Sequence, residues 1–249
     1  MFTPEQRSRL RSDLLEYAAS DRRISCAAIT GSAAAEREDR WSDIDLAFGV
    51  AEAADLQGAL ADCTTHMYGR HLALHHLDVG FGAWTYRVFL LPDTLQVDLA
   101  FVPATGFRAL SPDFRLVFGT ANESRQVPPP TAAGLIGVGW LYALHARSCI
   151  ARGKSWQAEY MISGMRDTAL ALACLRYGLP TDHGRGMDSL PSGVAAQYDG
   201  SLVRQLDTAE LSRAFRVVTE RLLSEIRSAD VELAGRLEAA LTQMTGSPR

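Results

Sequence analysis

The chain has 249 residues, 47% of them hydrophobic, which suffices for one large domain or two modest ones without disulfide or metal staples. Its net charge of -4, with Lys and Arg spread along the chain, argues against a protein that holds nucleic acid chiefly through phosphates. The four cysteines, Cys26, Cys63, Cys149 and Cys174, lie far apart, which disfavours a disulfide framework and a zinc site of the usual spacing.

The first 20 residues predict an amphipathic helix rather than a signal peptide. Leu10, Leu14 and Ala18 recur at helical spacing after Thr3 and Pro4, which are typical of a helix start. Nowhere does the chain reach the roughly 18 consecutive apolar residues of a membrane span. We therefore expect a cytoplasmic protein with no membrane partner.

Residues 24–102 predict strands that alternate with helices. The segments "ISCAAIT" (residues 24–30) and "DIDLAF" (residues 43–48) predict strands, and "SAAAEREDR" between them is rich in helix formers. Residues 51–68 predict another helix. Three more strands follow in "HLDVGFG", "WTYRVFLL" and "LQVDLAFV", and a hairpin at residues 92–94 joins the last two. About five strands result.

The segment "VPPP" at residues 127–130 marks a predicted domain boundary. Beyond it, helices are predicted at about residues 131–152, 156–177, 208–228 and 231–244, with a glycine-rich loop at 183–193. The predicted fold is α/β (α+β): a mixed β-sheet flanked by helices in residues 1–127, then an all-α helical bundle in residues 128–249.

Two aspartates interrupt an otherwise apolar strand. Residues two apart in a strand share a face, so Asp43 and Asp45 point one way while Ile44 and Leu46 point into the core. Adjacent carboxylates in a partly buried place repel each other, and a divalent cation removes that repulsion. Oxygen ligands favour Mg²⁺ or Mn²⁺, and Mg²⁺ takes its remaining ligands from substrate phosphates.

A phosphate-binding turn and a third carboxylate complete this candidate site. Gly31 and Ser32, where a strand leads into a helix, offer backbone amides and a hydroxyl to a phosphate. Ser32 also suits a plain N-cap. Asp98 lies between apolar residues on a later strand and would allow two metal ions; Asp78 is its competitor, and Asp98 could also be a structural carboxylate.

Glycine, serine, ten intervening residues and then Asp-x-Asp resemble the signature of the DNA polymerase β-like nucleotidyltransferase superfamily, over roughly residues 24–102. The resemblance implies that Gly31 and Ser32 hold phosphate and that Asp43, Asp45 and Asp98 are catalytic and bind metal. The helical part is similar in kind to that of bacterial antibiotic nucleotidyltransferases, without a motif that aligns residue by residue. Residues 1–127 are then the catalytic domain and residues 128–249 a substrate-binding or lid domain.

The implied reaction is attack by an acceptor hydroxyl on the α-phosphorus of a nucleoside triphosphate. The implied cofactor is Mg²⁺, with two ions bound, and Mn²⁺ is a possible substitute for it. The resemblance implies ATP as the co-substrate and a small acceptor of the aminoglycoside or lincosamide type. Two rivals stay open: adenylylation of a protein or RNA acceptor, and an inert nucleotide-binding interaction module. The oligomeric state stays open too.

Other polar residues have both a functional and a structural interpretation. Lys154 is a candidate for binding the triphosphate and Glu159 for deprotonating the acceptor, although each is also typical of a solvated helix face. The loop 183–188, with Arg185, either lines an acceptor cleft or is an ordinary connection. A histidine cluster lacks the spacing and acidic partners of a metal site: His66, His71, His75 and His76.

Overall fold

The computed structural model describes residues 1–125 and 127–246. The chain divides into two compact units, Met1–Val127 and Pro128–Arg249. Within the described ranges, no helix combines the length and apolarity needed to cross a bilayer. The division of labour between a catalytic and a substrate-binding unit stays a prediction.

The first unit is built on a six-stranded mixed sheet. Its elements are α1 (Pro4–Ser20), β1 (Ile24–Thr30), α2 (Gly31–Ala34), β2 (Ile44–Val50), α3 (Leu56–Arg70), β3 (His75–Phe81), β4 (Trp84–Leu90), β5 (Gln96–Pro103) and β6 (Phe114–Phe118). The strand order is β3-β4-β5-β2-β1-β6. The central pair β2 and β5 is parallel, and the other neighbours are antiparallel.

The core of this unit lies between the sheet and two helices. Leu14 of α1 and Met67 of α3 are buried in one cluster with Ile44 and Leu46 of β2. Because these two residues of β2 face the helices, Asp45 between them faces the opposite side of the sheet. The hydrophobic effect that fixes β2 on the helices therefore also fixes the direction of this carboxylate.

Most predicted elements of the first unit are confirmed, with two corrections. The sheet has six strands and not about five, because β6 was missed: it is only five residues long and pairs with β1 alone, at the sheet edge. The helix predicted over "SAAAEREDR" is too long, since α2 ends at Ala34. Glu36 adopts a positive φ of 55°, which does not fit a continuing right-handed helix.

The described part of the second unit is helical, with α4 (Ala132–Ala151), α5 (Ser155–Arg176), α6 (Ser192–Ala195), α7 (Thr208–Ala229) and α8 (Val231–Met244). The four long helices confirm the sequence prediction closely. The glycine-rich segment 183–193 contains a 3-10 turn at Met187–Ser189 and the start of α6.

Candidate functional site

Three carboxylates converge on one face of the sheet. The parallel register of β2 and β5 places Asp45 directly beside Asp98. Asp43 immediately precedes β2, two residues before Asp45, and shares its face. Each of the three side chains is half-buried and offers an oxygen, and these oxygens all lie within 4.8 Å of one another. We call this group the acidic triad.

The electrostatics of the acidic triad differ from those of scattered surface acids. Burial and, to a smaller extent, the charge of Asp43 raise the pKa of Asp98 to about 6, against a lowering hydrogen bond from Gln96. Gln96 Nε2 lies 3.0 Å from Asp98 Oδ1 and 3.4 Å from Asp43 Oδ2, so one amide donates to both carboxylates. Gln96 was not predicted from the sequence, although its position two residues before Asp98 in β5 puts it on the same face.

The turn between β1 and α2 lies against the acidic triad. Gly31 has a φ of +63°, and a Cβ atom added there would stand 2.1 Å from Asp45 Oδ2. The backbone can therefore approach this carboxylate only because residue 31 is glycine. Ser32 follows, and its Oγ is out of reach of solvent without a hydrogen-bond partner among the described residues.

The N-cap alternative for Ser32 is wrong. The N-cap of α2 is Thr30, which makes no side-chain capping bond, and Ser32 is the second residue of the helix. Its buried hydroxyl is thus not used for capping. An unpaired buried hydroxyl costs free energy that a ligand oxygen would recover, which fits a phosphate bound at this turn.

A buried arginine on α1 holds the loop that carries Asp43. Arg7 Nη1 donates to the carbonyl oxygens of Asp39 at 2.6 Å and Ser42 at 2.8 Å. Glu38, from the same loop, pairs with Arg11 at 2.6 Å. No sequence pattern indicates this role, because an arginine on an amphipathic helix is usually solvated. Arg7 and Arg11 therefore hold in place the loop that leads into β2.

Asp78, the alternative to Asp98 as the third carboxylate, is paired with an arginine. Asp78 on β3 accepts two hydrogen bonds from Arg87 on β4, each of 2.6 Å. This bidentate pair lowers the pKa of Asp78. Among the described residues, the acidic triad is the one group of three or more His, Cys, Asp or Glu side chains whose ligand atoms all lie within 4.8 Å of one another, and Asp78 is not in it.

The histidine cluster has packing partners and no such metal geometry within the described residues. His66 stacks on Tyr17 at 4.2 Å between ring centroids, and burial lowers the pKa of His66. His76 Nδ1 lies 3.0 Å from the hydroxyl of Tyr68. These imidazoles are packed or solvated, as the spacing indicates.

The distal candidates lie in the second unit. Lys154 is exposed and immediately precedes α5. Glu159 accepts a hydrogen bond of 2.6 Å from Ser163 Oγ on the same helix. Arg185 pairs with Asp182 at 3.3 Å. Their roles in nucleotide or acceptor binding stay predictions.

The acidic triad fits a divalent cation. Three half-buried carboxylates have oxygens within 4.8 Å of one another, and burial, with a smaller contribution from the charge of Asp43, raises the pKa of Asp98. Hard oxygen donors suit Mg²⁺ and Mn²⁺ better than softer metals. The glycine turn and the unpaired Ser32 hydroxyl supply the donors that a phosphate attached to such an ion would need.

No family model and no curated protein matches the sequence. Several solved structures resemble the chain, among them the following two. An aminoglycoside 6-adenyltransferase from Bacillus subtilis is 12% identical, with a TM-score of 0.42 over 99% of this chain and 100% of that one. The polymerase core of TRAMP, an RNA surveillance complex, is 11% identical, with a TM-score of 0.30 over 100% of this chain and 85% of that one. Likenesses this distant do not identify a reaction or its substrates.

We expect Gly31→Ala to weaken Mg²⁺-dependent binding of a nucleoside triphosphate at least tenfold, because the new methyl group displaces the Asp45 carboxylate. Isothermal titration calorimetry measures this affinity. The matched control is Gly82→Ala: Gly82 has a similar φ of +60°, and a Cβ atom there meets nothing within 4 Å. Both variants carry the backbone strain of about 1–2 kcal/mol. Equal affinity in the two variants would refute the close approach.

We expect Asp98→Asn to raise the melting temperature of the metal-free protein at neutral pH by roughly 2–4 °C. The folded-state pKa of Asp98, about 6, lies above its ordinary 3.8, so ionisation of this buried group destabilises the fold above pH 6. The destabilisation fades as the pH falls from about 6 to about 4, because the group is then protonated when folded. Thermal unfolding in EDTA, wild type against variant, tests this. A pH-independent difference would contradict the raised pKa.

Proposed function

We propose that the protein is an Mg²⁺-dependent nucleotidyltransferase, which moves a nucleoside monophosphate from a nucleoside triphosphate to a hydroxyl group. The observation that carries the proposal is the convergence of Asp43, Asp45 and Asp98 beside the turn at Gly31 and Ser32. A carboxylate cluster alone is a weak indication of metal binding. Here it lies against a turn whose geometry requires glycine and whose hydroxyl lacks a partner.

Asp43, Asp45 and Asp98 would hold one or two Mg²⁺ ions, with Mn²⁺ as a substitute. When bound, Mg²⁺ lowers the pKa of an attacking hydroxyl and neutralises negative charge on a departing pyrophosphate. The amides that follow Gly31 and the Ser32 hydroxyl would bind the triphosphate and fix its orientation for in-line attack.

Asp98 is the candidate proton acceptor. In the metal-free protein, burial raises its pKa to about 6, which still leaves it ionised at neutral pH. In the transfer, the acceptor oxygen bonds to the α-phosphorus and the bond from that phosphorus to the bridging oxygen of pyrophosphate breaks. The hydroxyl proton passes to an Asp98 carboxylate oxygen. Gln96, bonded to Asp98 and Asp43, would keep the two carboxylates in place during the exchange.

The identities proposed for the nucleotide and the acceptor rest on the sequence resemblance. It implies ATP as the donor and an aminoglycoside- or lincosamide-type small molecule as the acceptor. Lys154, Glu159 and the loop 183–188 are the candidate contributions of the second unit to binding these two substrates. Adenylylation of a protein or an RNA end would use the same chemistry at the same carboxylates.

We expect Mg²⁺-dependent release of pyrophosphate from one of the four common nucleoside triphosphates when a suitable hydroxyl acceptor is present. A panel of aminoglycosides and lincosamides is the first set of acceptors, and enzyme-coupled pyrophosphate detection is the measurement. Asp45→Asn should lower the rate at least a hundredfold, because it removes a charge that balances the metal. Asp55→Asn is the matched control, since Asp55 is exposed and lies outside the acidic triad.

Three results separate the rivals. Radiolabel from α-labelled ATP on macromolecules of a cell lysate, with no transfer to the small molecules, would favour a protein or RNA acceptor. Binding of Mg²⁺ and nucleotide with no release for any acceptor would favour the inert module. Full activity of a folded Asp45→Asn protein would contradict the proposed site.

A further inference from the structure

The second unit contains a concavity of about 1290 Å³ that is lined by no residue of the acidic triad or of the turn at Gly31. It is bounded by the C-terminal end of α4, the N-terminal half of α7 and the C-terminal end of α8. Its polar side chains include the guanidinium groups of Arg147, Arg152 and Arg216 and the hydroxyl groups of Ser148, Thr208 and Ser212. We call this the basic concavity.

All charged side chains among the described residues that line the basic concavity are positive. None of the described residues that line it is Asp or Glu, although the whole chain carries 29 acidic against 25 basic residues. Within residues 1–125 and 127–246, Arg147, Arg152 and Arg216 form no ion pair or side-chain hydrogen bond. All three are exposed. Positive charge is therefore gathered at one place and left uncompensated.

Other arginines of the same unit are paired with carboxylates. Arg176 contacts Glu225 at 2.9 Å, Arg213 contacts Glu210 at 2.7 Å, and Arg227 contacts Glu238 at 3.1 Å. The charges of these three arginines are therefore compensated, whereas, within the described part of the chain, those of Arg147, Arg152 and Arg216 are not.

Three like charges around one depression repel each other, and solvent screens that repulsion only in part. An anion that enters would be attracted by all three guanidinium groups. Each guanidinium presents a planar fork of donors that matches a phosphate group with two parallel hydrogen bonds. The hydroxyl groups of Ser148, Thr208 and Ser212 make no hydrogen bond with any described residue and are available to phosphate oxygens as well.

We propose that the basic concavity binds a small molecule that carries two or more phosphate groups. A phosphate monoester bears roughly -1.5 to -2 charges at neutral pH, so two of them balance three guanidinium groups. The apolar side chains of Ile150, Phe215 and Met244 also line the concavity and provide contact for an organic part of the ligand. This proposal is independent of the nucleotidyl transfer at the acidic triad.

The test is calorimetric titration of sodium tripolyphosphate into the full-length protein in EDTA. Removal of divalent ions disfavours binding at the acidic triad, whose carboxylates then repel the anion. We expect saturable binding that weakens with added salt and weakens at least tenfold in Arg147→Gln/Arg216→Gln. The matched control is Arg236→Gln on α8, an exposed arginine outside the concavity, which should bind within about twofold of wild type. Circular dichroism verifies that the variants, altered only at exposed positions, are folded.

Four outcomes would overturn the proposal. One is the absence of binding at millimolar tripolyphosphate, and another is equal binding by the wild type and the double variant. Equally tight binding of citrate would overturn the assignment to phosphate, because the site would then accept any trianion. Tighter binding of a 20-nucleotide RNA, lost in the double variant, would show that the occupant is a nucleic acid and not a small molecule.

Discussion

The close placement of three carboxylates, whose oxygens lie within 4.8 Å of one another, is the constraint on which the candidate site depends. The parallel pairing of β2 with β5 creates it, because the register sets Asp45 beside Asp98. A slip of β5 by one residue would turn Asp98 to the opposite face of the sheet, towards α1 and α3. The apolar residues Ile44 and Leu99, fully buried on that opposite face, oppose such a slip.

Two features near these carboxylates lower the stability of the protein when no ligand is bound. The raised pKa of Asp98 destabilises the metal-free fold at neutral pH, and the buried Ser32 hydroxyl forgoes a hydrogen bond. Proteins retain such costs where a ligand removes them, and a metal-bound triphosphate would address both. In the basic concavity of the second unit the clustered charge is positive, and the ligand that would neutralise it is an anion.

The sequence predicts the three converging carboxylates better than it predicts the residues that hold them in place. Alternation in a strand is a local signal, so Asp43, Asp45 and Asp98 could be recognised along with the helices and most strands. The contact of Gln96 with Asp43 and that of Arg7 with the loop before β2 join elements distant in sequence, and only the register of β5 and the packing of α1 reveal them. The edge strand β6 was missed because five residues give only a weak local signal, and the early end of α2 was missed because the positive φ of Glu36 is not indicated by its residue type.

Direct counting of bound metal tests the central claim. Titration of Mn²⁺, followed by the electron paramagnetic resonance signal of the free ion, gives the number and affinity of sites with and without a non-hydrolysable nucleoside triphosphate analogue. We predict Mn²⁺ binding that the analogue strengthens and that both Asp45→Asn and Asp98→Asn weaken at least tenfold. Unchanged Mn²⁺ binding in these two variants, with the analogue present, would show that the acidic triad does not hold the metal.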